Sequence, residues 1–194
     1  MTKRFTRPTA MRSYRKIFYL FLEGEETEPL YFAMIKRQSI KAHINMQHSN
    51  KKTTAKQILE KAKRFIREEK IRNDDEVWLV IDVDNNTQED LQTVINWSEA
   101  KPNYGLALSN PKFEYWLLLH FEAGNKIKNQ SDLEARLAHW MPNYEKSKFD
   151  TGSLFAKRMN AIDNARNRYQ HCHDWYHDYH STMFRLLEKI LTIT

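Results

Sequence analysis

The sequence predicts an α/β domain with a parallel sheet and helices on both of its faces, followed by a C-terminal helical appendage. Up to Phe121, short apolar runs alternate with segments of helical periodicity. Such alternation with short connections is typical of a parallel sheet covered by helices. Beyond Phe121 the chain is polar, helical in pieces and interrupted by Gly124, Pro142 and Gly152. We therefore expect no further strand after Phe121.

Length and composition favour one packed domain. The chain has 194 residues, of which 41% are hydrophobic, and this is enough for one well-buried core. The single cysteine, Cys172, excludes an internal disulfide, and the basic N-terminus lacks the apolar centre of a signal peptide. No apolar run approaches the ~20 residues of a membrane span. We expect a cytoplasmic protein with a basic arm at 1–15, an α/β core at 16–121 and a helical appendage at 122–194.

The first half of the core contains two predicted strands and two predicted helices. "KIFYLFL" predicts the first strand, and "TEPLYFAMIKRQ" predicts a helix with Thr27 as N-cap and Pro29 in its first turn. "AHINMQ" is a weaker strand signal. "TTAKQILEKAKRFIREEK" predicts an amphipathic helix that covers the sheet. Its apolar stripe consists of Ala55, Ile58, Leu59, Ala62, Phe65 and Ile66, and its basic face of Lys56, Lys61, Lys63, Arg64 and Arg67.

The second half of the core continues the alternation. "EVWLVIDV" and "YGLALS" predict strands, and "DLQTVINWSEA" between them predicts a helix. After the fourth strand, Asn110 is expected to cap a helix with Pro111 at its first position. "STMFRLLEKILTI" predicts a closing helix capped by Ser181 or Thr182. Its inward residues are expected to be Phe184, Leu187, Ile190 and Leu191.

Acidic side chains follow three of the predicted strands. Glu23 ends the first strand, Asp82 and Asp84 end the third, and Glu114 lies shortly after the fourth. The carboxyl ends of parallel strands meet at one edge of a sheet. Crowded carboxylates repel one another unless they are protonated or share a cation. Because an all-oxygen set suits Mg²⁺ or Mn²⁺, the sequence predicts a metal site at this edge.

Each part of this acidic pattern also has a purely structural interpretation. An isolated Asp-x-Asp at a strand end is more often a turn or a helix cap than a metal site. Glu25, Glu26 and Glu28 can complement the dipole of the first helix, and Glu114 can do the same for the helix that follows the fourth strand.

Basic residues indicate contact with phosphate. Six basic residues and no acid occur in the first sixteen positions, which favours either an arm that meets nucleic acid or a solvated tail. The residues predicted to bind nucleic acid are Arg12, Arg15, Lys61, Arg64 and Arg67. The chain contains no Walker A or GxGxxG loop, so ATP hydrolysis would have to come from a partner.

Two histidine-containing segments remain open to alternatives. "HCHDWYHDYH" would place His173 and His177 on one helical face, as a Zn²⁺ pair requires, but a polar helix end also produces this spacing. His120 falls on the apolar stripe of "FEYWLLLH" and is expected to be a hydrogen-bonded core residue rather than a catalytic acid. Trp140 and Tyr144 in the appendage fit either a partner surface or burial in the core.

Several blocks of the chain resemble the RloB-like family. "EGEETEPLYF", "VWLVIDVD" and "LALSNPKFEYWLLLHF" look like its signature blocks, and "YEKSKF" and "STMFRLLEKIL" extend the likeness over almost the whole chain. The resemblance implies a Toprim-like fold, shared with topoisomerases, primases and the OLD (overcoming lysogenization defect) class of nucleases. It further implies Mg²⁺- or Mn²⁺-dependent cleavage of DNA or RNA, tRNA included. The implied biological role is phage defence by abortive infection, with an ABC-type ATPase as partner.

The resemblance also assigns roles to individual residues. Glu23, Asp82 and Asp84 match the metal-binding and catalytic acids of the fold, and Glu23 is alternatively a general base. Glu28 matches a metal-binding acid and Glu114 a catalytic acid. Lys146 in "YEK" occupies the place of a lysine that steadies the transition-state phosphate in OLD-type nucleases.

The likeness is incomplete, and two other functions compete with it. The family usually has Asn-Pro before the closing Ser-Thr, and this chain has Tyr179 and His180 instead. One rival function is a catalytically inactive Toprim-like module that binds nucleic acid or the ATPase. A small-molecule phosphotransferase is disfavoured because the chain lacks a glycine-rich phosphate loop.

Overall fold

The computed structural model describes residues 15–39, 41–47 and 53–193, and its centre is a five-stranded sheet. The strands are β1 (Ile17–Leu22), β2 (His43–Gln47), β3 (Glu76–Asp82), β4 (Tyr104–Asn110) and β5 (His180–Ser181). Their order is β2-β1-β3-β4-β5. The first four strands are parallel, and β5 is antiparallel to β4. The predicted α/β class with a mostly parallel sheet flanked by helices is therefore confirmed.

The fifth strand contradicts the expectation that no strand follows Phe121. β5 has only two residues, and it pairs Ser181 with Ser109 and His180 with Asn110. Two residues are too few to show the period-2 alternation by which a strand is recognised in a sequence. The two residues take a strand conformation because they pair with the edge of β4.

Eight helices occur in the described ranges and flank both faces of the sheet. They are α1 (Thr27–Gln38), α2 (Ala55–Glu68), α3 (Gln88–Glu99), α4 (Phe113–Leu118), α5 (Gln130–Trp140), α6 (Thr151–Ala156), α7 (Arg158–Gln170) and α8 (Met183–Leu191).

The two faces of the sheet bury different hydrophobic clusters. Along β3, Trp78 and Val80 enter one cluster, and Leu79 and Ile81 enter the other. This alternation follows from the two-residue period of a strand. The larger cluster also contains residues of the appendage helices, namely Leu133, Leu154, Ile162 and Leu187. Of the helices after Phe121, α7 and α8 contact strands of the sheet, whereas α5 packs on α4 and α6 on α1.

The second helix matches its predicted pattern closely. Thr54 caps α2, accepting from the Gln57 amide, and the Gln57 side chain accepts from the Thr54 amide in return. Ala55, Ile58, Leu59 and Ala62 are buried against the sheet, whereas Phe65 and Ile66 are half-buried.

Two predicted helix caps are wrong and a third is correct in position only, because the side chains concerned have tertiary partners. Thr27 is the first residue of α1, and its hydroxyl contacts the appendage instead. Asn110 ends β4 and donates to the carbonyls of Trp175 and Tyr176, so Lys112 occupies the N-cap position of α4. Thr182 occupies the N-cap position of α8 as predicted, but its hydroxyl accepts from the Leu108 amide, and it is the Ser181 hydroxyl that accepts from the Met183 amide, at 3.3 Å.

The closing helix buries most of its predicted inward face. Phe184, Leu187 and Ile190 are buried, and Leu191 is half-buried. None of the helices in the described ranges combines the length and the hydrophobicity needed to cross a bilayer.

Candidate functional site

The carboxyl ends of β1, β3 and β4 border one open cavity of about 470 Å³. All the acids predicted to bind metal or act in catalysis line it, together with the predicted lysine. These residues are Glu23, Glu28, Asp82, Asp84, Glu114 and Lys146. The structure therefore brings together residues that are up to 123 positions apart in the chain, Lys146 being the most distant from Glu23.

The glutamates between β1 and α1 divide into two buried and two exposed side chains. Glu23 is 8% exposed and Glu28 4% exposed, whereas Glu25 and Glu26 face solvent. The carboxylate of Glu28 accepts from its own amide and from the amide of Gly24. A Cβ at Gly24 would lie 1.7 Å from Glu28 Oε2. A side chain at position 24 would therefore displace the Glu28 carboxylate, which lies directly against the backbone.

Glu23 is held by backbone and amide donors. Its Oε2 accepts from the Asp82 amide at 3.0 Å, and both carboxylate oxygens lie within 3.4 Å of Asn86 Nδ2. The same Asn86 nitrogen donates to the Asp82 carbonyl at 2.7 Å, and Asn86 Oδ1 accepts from the Ala55 amide at 2.6 Å. Buried Asn86 thus joins β1, β3 and the N-terminus of α2. We did not predict this role, although the position of Asn86 four residues after Asp82 was available as a signal.

The two aspartates reach the cavity through a turn. β3 ends at Asp82, and the chain turns over the next four residues, so Asp84 lies beyond the strand rather than at its end. The Asp84 amide donates to the Pro111 carbonyl at 3.0 Å, next to the cis peptide bond between Asn110 and Pro111. This contact attaches the aspartate turn to the segment that leads into α4. Asp82 is half-buried and Asp84 is exposed, and both line the cavity.

Glu114 receives two contacts from the appendage. It lies in the first turn of α4 and is buried. Its Oε1 accepts from the Tyr144 hydroxyl at 3.2 Å and lies 3.7 Å from Lys146 Nζ. The Thr27 hydroxyl lies 3.3 Å from both Tyr144 Oη and the Lys146 carbonyl. Tyr144 therefore belongs to the site rather than to an outward-facing surface, whereas Trp140 is 44% exposed.

Burial and mutual repulsion raise the pKa of the acids in the cavity. Burial raises the pKa of Glu23 to about 7, against hydrogen bonds from Asp82 and Asn86 that lower it, and Glu28 and Asp84 add to the increase. Burial and the charge of Glu114 raise the pKa of Glu28 to about 7. Burial and the surrounding acids raise the pKa of Asp82 well above its usual value. These carboxylates lie close enough together that ionising one opposes ionisation of the next.

The composition of the cavity fits a hard divalent cation. Seven carboxylates and two lysines line it, and one of these lysines, Lys112, already pairs with Glu134 at 2.8 Å. Oxygen donors in excess of positive charge are the ligands that Mg²⁺ and Mn²⁺ prefer. Across the described residues, no three His, Cys, Asp or Glu side chains are already grouped at metal-binding spacing. Binding therefore requires these side chains to move towards one another.

The basic residues predicted to bind nucleic acid lie in different places. Lys61, Arg64 and Arg67 line a shallow depression on α2. The N-terminus of α2 abuts the acidic cavity through Asn86, and the helix extends to Arg67 about 18 Å farther on. Arg15 is exposed at the amino end of β1, so a strand about 20 Å long separates it from Glu23. Arg12 lies outside the described residues.

The histidine-rich segment does not adopt the helical conformation on which the zinc hypothesis depended. α7 ends at Gln170, and His173 and His177 lie in the turns that follow. Asp174 accepts from the His177 ring at 2.7 Å, and Asp178 accepts from the His173 amide at 2.9 Å. Aspartate side chains thus organise this segment locally.

His120 is a core residue, as expected. It is 0% exposed, and its ring nitrogens contact the Tyr31 hydroxyl at 3.2 Å and the Trp116 carbonyl at 3.1 Å. Burial lowers the pKa of His120 to about 4, so the ring is neutral at physiological pH.

A larger cavity, of about 930 Å³, lies along the part of β4 that β5 does not cover. Its lining includes Trp78, Tyr104, Trp175, Arg185 and Lys189. It lacks the convergent acids of the first cavity, and the predicted site residues do not reach it.

Fold and site together define an α/β protein with an acid-rich cavity at the carboxyl edge of a mostly parallel sheet. The family model described as RloB-like protein matches residues 18–190, and the chain therefore belongs to the RloB-like family. This confirms the resemblance seen in the sequence blocks. Comparison with the curated proteins and with the solved structures finds no match.

Proposed function

We propose that this protein is a Mg²⁺- or Mn²⁺-dependent nuclease of the Toprim type, which hydrolyses phosphodiester bonds in DNA or RNA. The observation that carries the proposal is the excess of carboxylates in one open cavity, where seven acids face two lysines. Burying an unpaired charge is unfavourable in free energy, and for this reason the pKa values of Glu23 and Glu28 are raised. A fold has no structural need for such a cluster, whereas a cation would relieve the repulsion.

Glu23, Glu28, Asp82 and Asp84 would hold the metal. When bound, such an ion lowers the pKa of a water ligand and neutralises charge on the leaving oxygen. Asn86 and the Asp82 amide orient the Glu23 carboxylate through hydrogen bonds. Partners of this kind fix the direction of a ligand and strengthen binding.

Lys146 supplies a positive charge at the mouth of the cavity. Its side chain is 67% exposed, and its Nζ lies 3.7 Å from Glu114 Oε1. An ammonium group that is partly solvated in this way can pair with a phosphate oxygen that enters the cavity. We assign to Lys146 the role of binding the phosphate under attack.

The basic face of α2 provides a route for the nucleic-acid backbone. Arg64 and Arg67 are exposed, and Lys61 is half-buried on the same face. Lysine and arginine contacts to phosphate give affinity without sequence preference. Because α2 starts next to Asn86, a backbone that follows this helix leads towards the acids.

The biological setting that we propose is phage defence by abortive infection in the cytoplasm, with an ABC-type ATPase as partner. Membership of the RloB-like family supports this setting. The chain itself has no Walker A loop, which agrees with nucleotide hydrolysis by a separate subunit.

The test combines metal binding with cleavage. Mn²⁺ and Mg²⁺ binding would be measured by calorimetry for the wild type and for Asp82→Ala/Asp84→Ala, and cleavage of plasmid DNA and total tRNA under the same conditions. The double variant should lose both binding and cleavage, because two of the proposed ligands are gone. Glu68→Ala/Glu69→Ala is the matched control, since it also removes two acids but at the exposed end of α2. It should bind metal and cleave at least as well as the wild type.

The outcomes separate the two main hypotheses. Cleavage by the wild type that depends on the metal and on the aspartates supports the nuclease and identifies its substrate class. Metal binding without cleavage, repeated with the ATPase added, would favour the catalytically inactive module. If the aspartate variant cut at the wild-type rate, the proposed site would be wrong.

A further inference from the structure

The cavity is completed by a tyrosine from outside the α/β core. Tyr144 lies between α5 and α6, and it is half-buried. Its hydroxyl donates to Glu114 Oε1 at 3.2 Å and lies 3.3 Å from Thr27 Oγ1. Each of these partners lies in the first turn of a core helix, Glu114 in α4 and Thr27 in α1. One hydroxyl group therefore connects the two helix starts that border the acids.

The number of protons on the two hydroxyl groups determines the direction of these hydrogen bonds. A tyrosine hydroxyl has one proton, and an ionised Glu114 carboxylate can only accept. The single Thr27 hydroxyl proton is donated to the Lys146 carbonyl at 3.3 Å, so when Tyr144 donates to Glu114, its 3.3 Å contact with Thr27 can only share that proton. Burial and the charge of Glu114 raise the pKa of Tyr144 above its usual value, so the phenol stays protonated and remains a donor.

The segment that carries Tyr144 is itself well defined. Glu145 and Lys148 exchange two backbone hydrogen bonds, at 3.1 and 2.9 Å, which close a tight turn. The Tyr144 ring packs against Phe149 with 5.7 Å between the ring centroids. Lys146 lies in this turn and approaches the same oxygen, Glu114 Oε1. Tyr144 and Lys146 therefore anchor the Glu114 carboxylate through one of its two oxygens.

We propose that Tyr144 is a positioning residue that fixes the orientation of the Glu114 carboxylate in the acidic cavity. The proposal rests on the proposed nuclease function and adds to it a residue that acts through Glu114. It also gives the appendage a role in the site, because the α/β core alone lacks this donor. Groups that hydrogen-bond to ligands or catalytic acids typically affect metal affinity or activity by about 10–100-fold when removed.

The test uses Tyr144→Phe in the full chain. This variant keeps the ring and its packing and removes only the hydroxyl. The charge of Glu114 acts on Glu28 and Asp82, two of the proposed metal ligands, so a misplaced Glu114 should affect metal binding as well as turnover. The expected result is a fall in kcat of about tenfold or more with KM for nucleic acid unchanged, and a Mn²⁺ Kd that is weaker by about tenfold. Circular dichroism and the Tm would verify that the variant is folded.

Tyr115→Phe is the matched control. It removes another tyrosine hydroxyl, which donates to the Gly124 carbonyl at 3.3 Å and touches no acid of the cavity. Loss of that hydrogen bond should leave kcat and Mn²⁺ affinity at wild-type values. The comparison distinguishes positioning of Glu114 from a general loss of stability.

A double-variant cycle tests whether Tyr144 acts through Glu114. In a Glu114→Gln background, Tyr144→Phe should cause no further loss of Mn²⁺ affinity or kcat. Equal losses in both backgrounds would overturn the inference, and so would a Tyr144→Phe protein with wild-type kcat and Mn²⁺ affinity. If the wild type bound Mn²⁺ without cleaving, the affinities alone would decide. A wild type that neither bound metal nor cleaved would refute the proposed function itself, which is a different result from failure of the tyrosine variant.

Discussion

Replacing Glu28 with glutamine should stabilise the metal-free protein at alkaline pH and change its stability little at acid pH. Burial and the charge of Glu114 raise the pKa of Glu28 from 4.5 to about 7 in the folded protein. A folded-state pKa above the unfolded value means that the protonated carboxyl contributes stability, which is fully present below about pH 4.5 and lost as the pH rises through about 7. Glutamine is neutral at every pH, so it avoids this loss.

The size of the effect follows from the pKa difference. The change from 4.5 to about 7 corresponds to about 3 kcal/mol at ~1.36 kcal/mol per pKa unit. The Glu28 carboxylate also accepts from the Gly24 amide, and weakening that bond in the glutamine variant costs about 1 kcal/mol. The net stabilisation expected well above pH 7 is about 2 kcal/mol, or roughly 4–8 °C in Tm for a chain of this size.

Urea unfolding in EDTA provides the assay. Wild type and Glu28→Gln would be compared at about pH 5 and about pH 8.5, which lie on either side of the titration. Glu25→Gln is the control, because Glu25 lines the same cavity but is exposed. It should change the free energy of unfolding by no more than about 0.5 kcal/mol at either pH. Added Mg²⁺ should then stabilise the wild type more than Glu28→Gln, because the variant has lost one ligand.

One result would refute the reasoning. If Glu28→Gln destabilised the protein equally at both pH values, the Glu28 carboxylate would not be under electrostatic strain. The argument that a cation relieves repulsion in this cavity would then lose its basis.

Three further predictions concern other parts of the molecule. Asn86→Ala should lower the free energy of unfolding by about 2–4 kcal/mol, because it leaves the Ala55 amide without its partner and leaves Glu23 with the Asp82 amide as its remaining donor, and urea titration measures this loss. Burial holds the pKa of His120 near 4, below its unfolded value, so the contribution of His120 to stability should fall by about 3 kcal/mol as the pH drops from about 6.5 to 4. Because Glu23 and Glu28 titrate in the opposite sense over this range, the fall is measured as the difference between the wild type and His120→Gln in the same titration. Arg64→Gln should weaken nucleic-acid binding and reduce the salt dependence of log Kd by about 1 in a fluorescence titration, since one phosphate contact is lost.

Each of these predictions has its own control. Asn85→Ala changes the exposed neighbour of Asn86 and should cost little stability. If the difference in free energy of unfolding between the wild type and His120→Gln stayed constant between about pH 6.5 and 4, the buried, neutral state of His120 would be contradicted. Lys36→Gln removes an exposed positive charge from the end of α1, and an equal loss of affinity in this variant would show that net charge, rather than the face of α2, governs binding.

The elements of the core could be predicted because their signals are local. β3 is a continuous apolar run bounded by polar residues, and α2 has both a capping residue and a regular apolar stripe. Glu23 and Asp82 could be assigned to one edge because parallel strands all end on the same side. None of these inferences required knowledge of which distant residues are neighbours.

The errors occurred where a side chain has a distant partner. Thr27 and Asn110 were predicted as helix caps, yet their side chains contact segments more than sixty residues away. β5 escaped prediction because its two residues acquire strand conformation only by pairing with β4. His173 and His177 were placed on one helix face, but α7 ends before them.

The sequence by itself determined the α/β class, the family, the edge of the sheet at which the acids gather and the oxygen-rich chemistry that suits a divalent cation. Tertiary structure decided which of the glutamates after β1 are buried, that Asn86 supports Glu23, and that Tyr144 reaches Glu114. Periodicity and strand ends are encoded within a few neighbouring residues. Burial and hydrogen-bond partners depend on how segments such as Thr27 and Lys146, 119 positions apart, are packed together.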